Sequence, residues 1–400
     1  MKQGNFLILS LLGALCVITP FAIDLYLPAF TQIAADLGTS SATVSLSLSS
    51  YFIGLAFGQF FYGPLLDRYG RKKPIYAGLA LFCAASAGCM LTHDVHMLIG
   101  LRLLQGLGGC AAQVGAIAMV HDFFPVDQSA RIFSRLFLYI GASPLLAPTI
   151  GSMLTAYLGW RWVFIFMLVM ASAVLTCIAL FLPEGHKPDK SISLKPLHIA
   201  AAFLMIFRNR SFHRYAFVSA FSFAGLFSYV AGAPIIFMEQ FGVSQKMFGV
   251  LFAVLAGGFI GASQINVMLL KRFSSKIILA YALWAQVACS ALLFAGTWSG
   301  AFGLVQTVVL LFGLLASVGV ANPNASALAL APFTKNAGSA SALMGVIQLG
   351  TGALISTSIA IVGAKTSLPI IAILFVTALA GVVLHGVLRE EAESGALEVA

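Results

Sequence analysis

The chain has 400 residues, of which 60% are hydrophobic and only 9% charged, against roughly 25% charged in soluble domains. A water-soluble fold of this length cannot bury so much apolar surface, so the composition excludes a soluble enzyme and implies a polytopic membrane protein. The net charge of +9 points to no nucleic-acid partner, because Lys and Arg fall in short loops between apolar runs, where they set orientation and meet anionic lipid.

Lys2 followed by an apolar run has the look of a signal peptide, but no small-residue cleavage site follows. The run continues through Asp24 and is read as a retained first helix. At about 20 apolar residues per crossing, hydropathy predicts twelve spans: 5–27, 45–66, 74–92, 96–120, 133–157, 160–182, 213–236, 247–270, 276–296, 301–323, 338–361 and 367–388. An all-α membrane protein with six spans in residues 1–182 and six in 213–400 is therefore expected. The linker, 183–212, is the longest polar interruption. Its middle, Leu194 to Phe207, fits either a helix lying on the membrane surface or a plain connection.

In the first span, Asp24 is the carboxylate placed inside an apolar run. A charge there costs about 2.5–3.5 kcal/mol on insertion scales, so it should face a cavity or a partner. It is read as a proton carrier or a counter-ion for substrate, or else as a solvated residue beyond a shorter span. Between the second and third spans lies Gly63-Pro64-Leu65-Leu66-Asp67-Arg68-Tyr69-Gly70-Arg71-Lys72-Lys73, read as a tight, basic, cytoplasmic turn. A loop that merely marked orientation would need its Arg and Lys residues but not Asp67 or the spaced glycines Gly63 and Gly70. His93, Asp94 and His96 before the fourth span are read as solvated loop residues, and no metal site is expected.

Arg102 sits about two turns inside the fourth span, at a depth similar to that of Asp24. A buried guanidinium needs partners, and Asp24, Gln105 or a backbone carbonyl are the candidates. The reading leaves open a proton-relay role or a purely structural one. In the fifth span, Gly141, Pro144, Pro148 and Gly151 combine bends with close helix approach. Tyr26, Tyr51, Gln113, Asn322, Asn324 and Gln348 are the candidate lining of a substrate cavity, with Tyr139 as further aromatic surface. Helix packing is the competing role for each of them. The six cysteines all fall in apolar runs without metal-ligand spacing and are expected to be reduced. No phosphate-binding glycine loop with Lys-Ser or Lys-Thr occurs, and no cofactor is expected.

With the N-terminus inside, eighteen of the 22 Lys and Arg residues fall in cytoplasmic segments, so both termini are expected there. An offset of 204 residues aligns Leu65–Lys72 with Leu269–Lys276, Gly54 and Gly58 with Gly258 and Ala262, and Gly141 with Gly345. Asp24 falls on Ser228. Such a repeat predicts two parallel six-helix halves with a site between them.

The turn at Gly63–Lys73, the Arg102–Gly109 run and the Gly141–Gly151 run resemble signatures of the major facilitator superfamily. Ile23-Asp24-Leu25-Tyr26-Leu27-Pro28-Ala29, Ala224–Phe227 with Gly232-Ala233-Pro234, Ala329–Phe333 and Ala337–Leu343 resemble its Bcr/CflA drug-resistance subfamily. The resemblance covers essentially the whole chain. It implies the major facilitator fold and proton-driven export of drugs from a bacterial cytoplasm by alternating access. Asp24 and Arg102 would couple protons, Gly63, Asp67, Arg68, Gly70 and Arg71 would form a cytoplasmic gate, and Gly141, Pro144, Pro148 and Gly151 an antiporter motif. The implied partners are a small-molecule substrate, protons and the bilayer, with the protein a monomer. A proton-coupled porter for nucleosides or amino-acid derivatives is the alternative, and a non-transporting membrane sensor a third reading. Lys271, standing where the first half has Asp67, and Cys16, where some related exporters carry a second carboxylate, depart from the pattern.

Overall fold

The computed structural model describes residues 3–124, 126–185, 188–189, 203–333, 337–362 and 366–397. Half of the predicted linker, including the segment from Leu194 to residue 202, lies outside the described residues. The described chain is helical, with no strand. Helix α1 covers Gln3–Asp24, a 3-10 turn Leu27–Ala29 follows, and the short α2 covers Phe30–Asp36. Then come α3 Ser41–Tyr69, α4 Lys72–Leu91, α5 Val95–Phe123, α6 Val126–Tyr157 and α7 Arg161–Phe181. The later helices are α8 Arg210–Pro234, α9 Gln245–Leu269, α10 Ser275–Trp298, α11 Leu304–Leu330, α12 Ala337–Ile361 and α13 Ser367–Leu397. Apart from α2, all are at least 20 residues long, and eleven of these twelve are apolar enough to cross a membrane. The twelfth, α6, is the longest at 32 residues.

Helix ends follow capping rather than hydropathy. Ser40 accepts the Thr43 amide at 3.1 Å, Asp94 the Met97 amide at 2.7 Å and Asn209 the Phe212 amide at 3.0 Å, which fixes the starts of α3, α5 and α8. The predicted polar turn is correspondingly smaller than its sequence suggested. Gly63, Pro64, Asp67 and Arg68 all belong to α3, and only Gly70 and Arg71 separate α3 from α4.

The chain forms two compact units. The first comprises Met1–Ile199 together with Val243–Ala253, and the second Ala200–Gly242 with Val254–Ala400. In the first, α5 packs against α1, α3 and α4. A Cβ at Gly54 would lie 2.1 Å from the Leu103 carbonyl oxygen, and one at Gly106 would lie 2.2 Å from that of Tyr51. The α3–α5 crossing is thus backbone against backbone, the geometry small residues permit in membranes. In the second unit α8 packs against α11, α12 and α13, around Phe212, Tyr215, Leu283 and Met344. There α9 and α11, the counterparts of α3 and α5, also meet at a glycine: a Cβ at Gly319 would lie 2.2 Å from the Phe259 carbonyl oxygen. All six cysteines are free.

Candidate functional site

The first site is the break in α1. Pro28 has no N–H to offer the carbonyl four residues back, that of Asp24, and it disfavours helix at Leu27. The α-helix therefore stops at Asp24, and the chain turns through Leu27–Ala29 with the Ala29 amide on the Tyr26 carbonyl at 3.1 Å. Asp24 is left at the carbonyl end of a helix, only 6% exposed, and among the described residues its carboxylate makes no hydrogen bond or ion pair. That answers the reading of Asp24 as a solvated residue beyond a shorter span, since the α-helix does end there but the side chain is buried.

Ending the helix also frees the Ala22 carbonyl, and Arg102 takes it: Nη2 donates to Ala22 O at 3.0 Å and Nη1 to Gln105 Oε1 at 2.5 Å. Of the partners considered from sequence, Gln105 and a backbone carbonyl hold Arg102, and Asp24 does not. The guanidinium is fully buried between two aromatic faces, 4.5 Å from the Tyr26 ring centroid and 4.4 Å from that of Tyr51. Gln105 in turn donates to Ser86 Oγ at 2.7 Å, and the Tyr26 hydroxyl meets Ser47 Oγ at 2.8 Å. Tyr26 and Tyr51, expected to line a substrate cavity, are instead 0% exposed. A planar cation with no carboxylate partner among the described residues draws them into stacking.

Of the fifth-span residues, Gly151 joins this site directly. A Cβ there would lie 2.2 Å from the Leu25 carbonyl oxygen, so α6 rests on the break beside Asp24. Pro148 is buried, while Pro144 and Gly141 are half-buried. Tyr139 packs on α1, where a Cβ at Gly13 would come within 2.7 Å of its ring.

The second site is the α3–α4 turn. Gly70 has φ +83°, a conformation that favours glycine, and it turns Arg71 back under the helices. Arg71 donates through Nη1 to Asp67 Oδ1 at 2.5 Å, through Nε to Asp122 Oδ2 at 2.8 Å and through Nη2 to Asp122 Oδ1 at 3.3 Å. The two carboxylates hold its guanidinium still more firmly protonated than usual, against the effect of burial. Glu184 Oε1 accepts the Arg71 amide at 2.6 Å and the Lys72 amide at 3.1 Å, capping α4 where an anion is favoured. Lys72 Nζ donates to the Leu182 carbonyl at 2.8 Å, and the Asp189 amide to the Asp67 carbonyl at 3.1 Å. Arg68 lies over the Tyr69 ring at 5.9 Å, and Gly63 has no neighbour where a Cβ would point. Sequence reasoning missed Asp122 and Glu184. Asp122 lies within α5, two residues past the predicted end of the span, and Glu184 falls in the predicted linker, 183–212.

The third site gathers polar groups of the second unit. Ser219 Oγ donates to Asn322 Oδ1 at 2.7 Å, and Gln348 Nε2 reaches Ser219 Oγ at 2.8 Å and Asn322 Oδ1 at 3.0 Å. The predicted pair Asn322 and Gln348 thus comes together, half-buried, with Ser219 as an unforeseen third member. Asn324 does not join them. It is 1% exposed and donates to Asn266 Oδ1 at 2.7 Å and the Val320 carbonyl at 2.8 Å, a helix-to-helix tie. Gln113, in the first unit, is half-buried. Asp94 is occupied capping α5, and His93 Nδ1 lies 3.2 Å from Arg161.

Among the described residues, twelve long helices, a buried carboxylate at a helix break and an ion-paired interhelical turn define a membrane transporter scaffold. The sequence profile described as Major Facilitator Superfamily matches residues 12–357. The chain is 30% identical over 376 residues to a bicyclomycin resistance protein homolog of Haemophilus influenzae, covering 92% of this chain and 93% of that protein. It is 29% identical over 370 residues to multidrug resistance protein D of Escherichia coli, covering 89% of each. In fold it matches the crystal structure of a D-xylose–proton symporter with a TM-score of 0.76, over 95% of this chain and 96% of that one, at 15% identity. The chain belongs to the major facilitator superfamily, and it is a multi-pass membrane transporter, not an enzyme.

Proposed function

We propose that the protein exports drugs or similar small molecules from a bacterial cytoplasm by alternating access, driven by inward proton movement, with both termini cytoplasmic. The drug-resistance names of relatives that match almost end to end support export. The observation that carries proton coupling is Asp24, a buried carboxylate with no partner among the described residues, at the negative end of α1. Ionised there, it would carry the cost of an uncompensated charge, so taking up a proton stabilises Asp24 in its buried position and exposure to water favours release. Arg102 positions the break by holding the Ala22 carbonyl, and α6 bears on it through Gly151. Each proton moving inward is worth about 2.3 kcal/mol per 100 mV, enough to drive accumulation of substrate outside. Gln113, Asn322 and Gln348, with Ser219, are the side chains proposed to meet the substrate, and the Arg71 cluster is proposed as the cytoplasmic gate.

The test is substrate-induced proton release from purified protein. Asp24→Asn should abolish release and uphill export while leaving the protein folded and able to bind neutral substrate. Asp24→Glu should keep part of both. Undiminished release from folded Asp24→Asn protein would place coupling elsewhere.

A further inference from the structure

The turn after α3 and its counterpart after α9 carry similar numbers of cations, but they use them differently. In the first unit Arg71 is consumed by Asp67 and Asp122, and Lys72 by the Leu182 carbonyl. At the offset of 204 residues, Asp67 is replaced by Lys271, Asp122 by Ser326 and Glu184 by Leu388. Lys271, Arg272 and Lys276 are accordingly all exposed, and none of their side chains makes a hydrogen bond or ion pair among the described residues.

Beside these cations a groove of about 410 Å³ opens between α9, α10 and α11. Leu269 and Phe273 bracket the turn at its mouth, Ile277, Tyr281 and Ala285 run along α10, and Val320 closes it on α11. Phe273 is 49% exposed and Tyr281 75%, so the groove faces outward. Deeper in, the Ser317 hydroxyl is already spent on the Leu314 carbonyl at 2.6 Å. The interior is therefore apolar to an occupant, while the mouth offers three free positive charges.

We propose that this groove binds an anionic phospholipid, one acyl chain lying along α10 and the phosphate resting on Lys271, Arg272 and Lys276. The charge sits where two spans end, at headgroup depth, and the apolar channel leads from it into the hydrocarbon region. Neutral lipid would gain from the channel but not from the cations. A free phosphate would gain from the cations but not from the channel.

Native mass spectrometry of the detergent-purified protein, titrated with phosphatidylglycerol or with phosphatidylcholine of the same chains, tests this. Wild type should retain phosphatidylglycerol preferentially. Combined Lys271→Gln, Arg272→Gln and Lys276→Gln should remove that preference, by about fivefold for each charge lost. Should the triple variant fail to fold, Ala285→Trp fills the channel with the charges intact and should lower retention of phosphatidylglycerol. Equal retention of the two lipids by wild type, a preference that survives the triple substitution, or retention unchanged by Ala285→Trp would each overturn the proposal.

Discussion

Arg71 and Arg102 are both withdrawn from water, yet they are compensated in different ways. Arg71 has two carboxylates, of which Asp122 is 11% exposed in its side chain and Asp67 46%. Removing a partner of a buried pair costs about 3–5 kcal/mol, whereas an exposed ion pair contributes about 0–1 kcal/mol. Asp122→Asn should therefore lower thermal stability in detergent clearly more than Asp67→Asn, and a larger loss from Asp67→Asn would show that the cluster is not held as described. Arg102 has no anion among the described residues, only a carbonyl, an amide oxygen and two rings. A lysine keeps the charge but not the flat face that fits between Tyr26 and Tyr51. Arg102→Lys should thus lose about 2 kcal/mol of stability, the order of a desolvated cation–π contact, read as a lowered melting point. Sequence alone placed Arg102 inside a span and offered Gln105 as one of three candidate partners, beside Asp24 and a backbone carbonyl. It held no signal for the stacking, because Tyr26 and Tyr51 lie elsewhere in the chain and aromatic residues are common in any span.

At the scale of the helices, small residues decide which crossings are close. The α3–α5 contact leaves no room at Gly54, where a Cβ would overlap the Leu103 carbonyl, while Gly63, one helix turn before Asp67, has open space. Gly54→Ala should separate the helices at a cost of about 1–3 kcal/mol, and Gly63→Ala should be nearly silent. Comparing expression and melting of the two variants checks this. The spans themselves were legible because twenty apolar residues have few other uses. Their ends were not, because α3 runs on through Asp67 and Arg68 to Tyr69 and α5 through Asp122 to Phe123. A helix entering polar surroundings stops at a capping group or a glycine and not where hydropathy falls.

Over the whole molecule, the two halves share a helical plan but not a distribution of charge. The offset that pairs Gly54 with Gly258 also pairs Asp24 with the buried Ser228, whose Oγ returns to the Ala224 carbonyl at 3.0 Å, and Pro28 with Gly232. Without a proline at that point α8 continues to Pro234 before passing into a π-helical segment, Ile235–Gln240, so the 3-10 break beside a buried carboxylate and the ion-paired turn belong to the first unit. The proposed orientation follows from Lys and Arg alone, and thiol labelling tests it. In a chain whose six native cysteines are replaced by Ala, Lys73→Cys and Lys271→Cys should each react with an impermeant reagent only from the cytoplasmic side. Labelling from outside would invert the topology.

The reach of Glu184 back to the amides of Arg71 and Lys72 bears on how the chain is made. Four transmembrane crossings, and 113 residues of chain beyond Arg71, must leave the ribosome before the start of α4 receives its cap. The α3–α4 turn thus enters the membrane with its charges only partly matched. The last groups to arrive, Leu182, Glu184 and Asp189, are close together in sequence. A gene divided after residue 189 would leave all of them on the first polypeptide, while one divided after residue 181 would put them on the second. Co-expressed halves cut at the later point should therefore assemble into active transporter in higher yield than halves cut eight residues earlier.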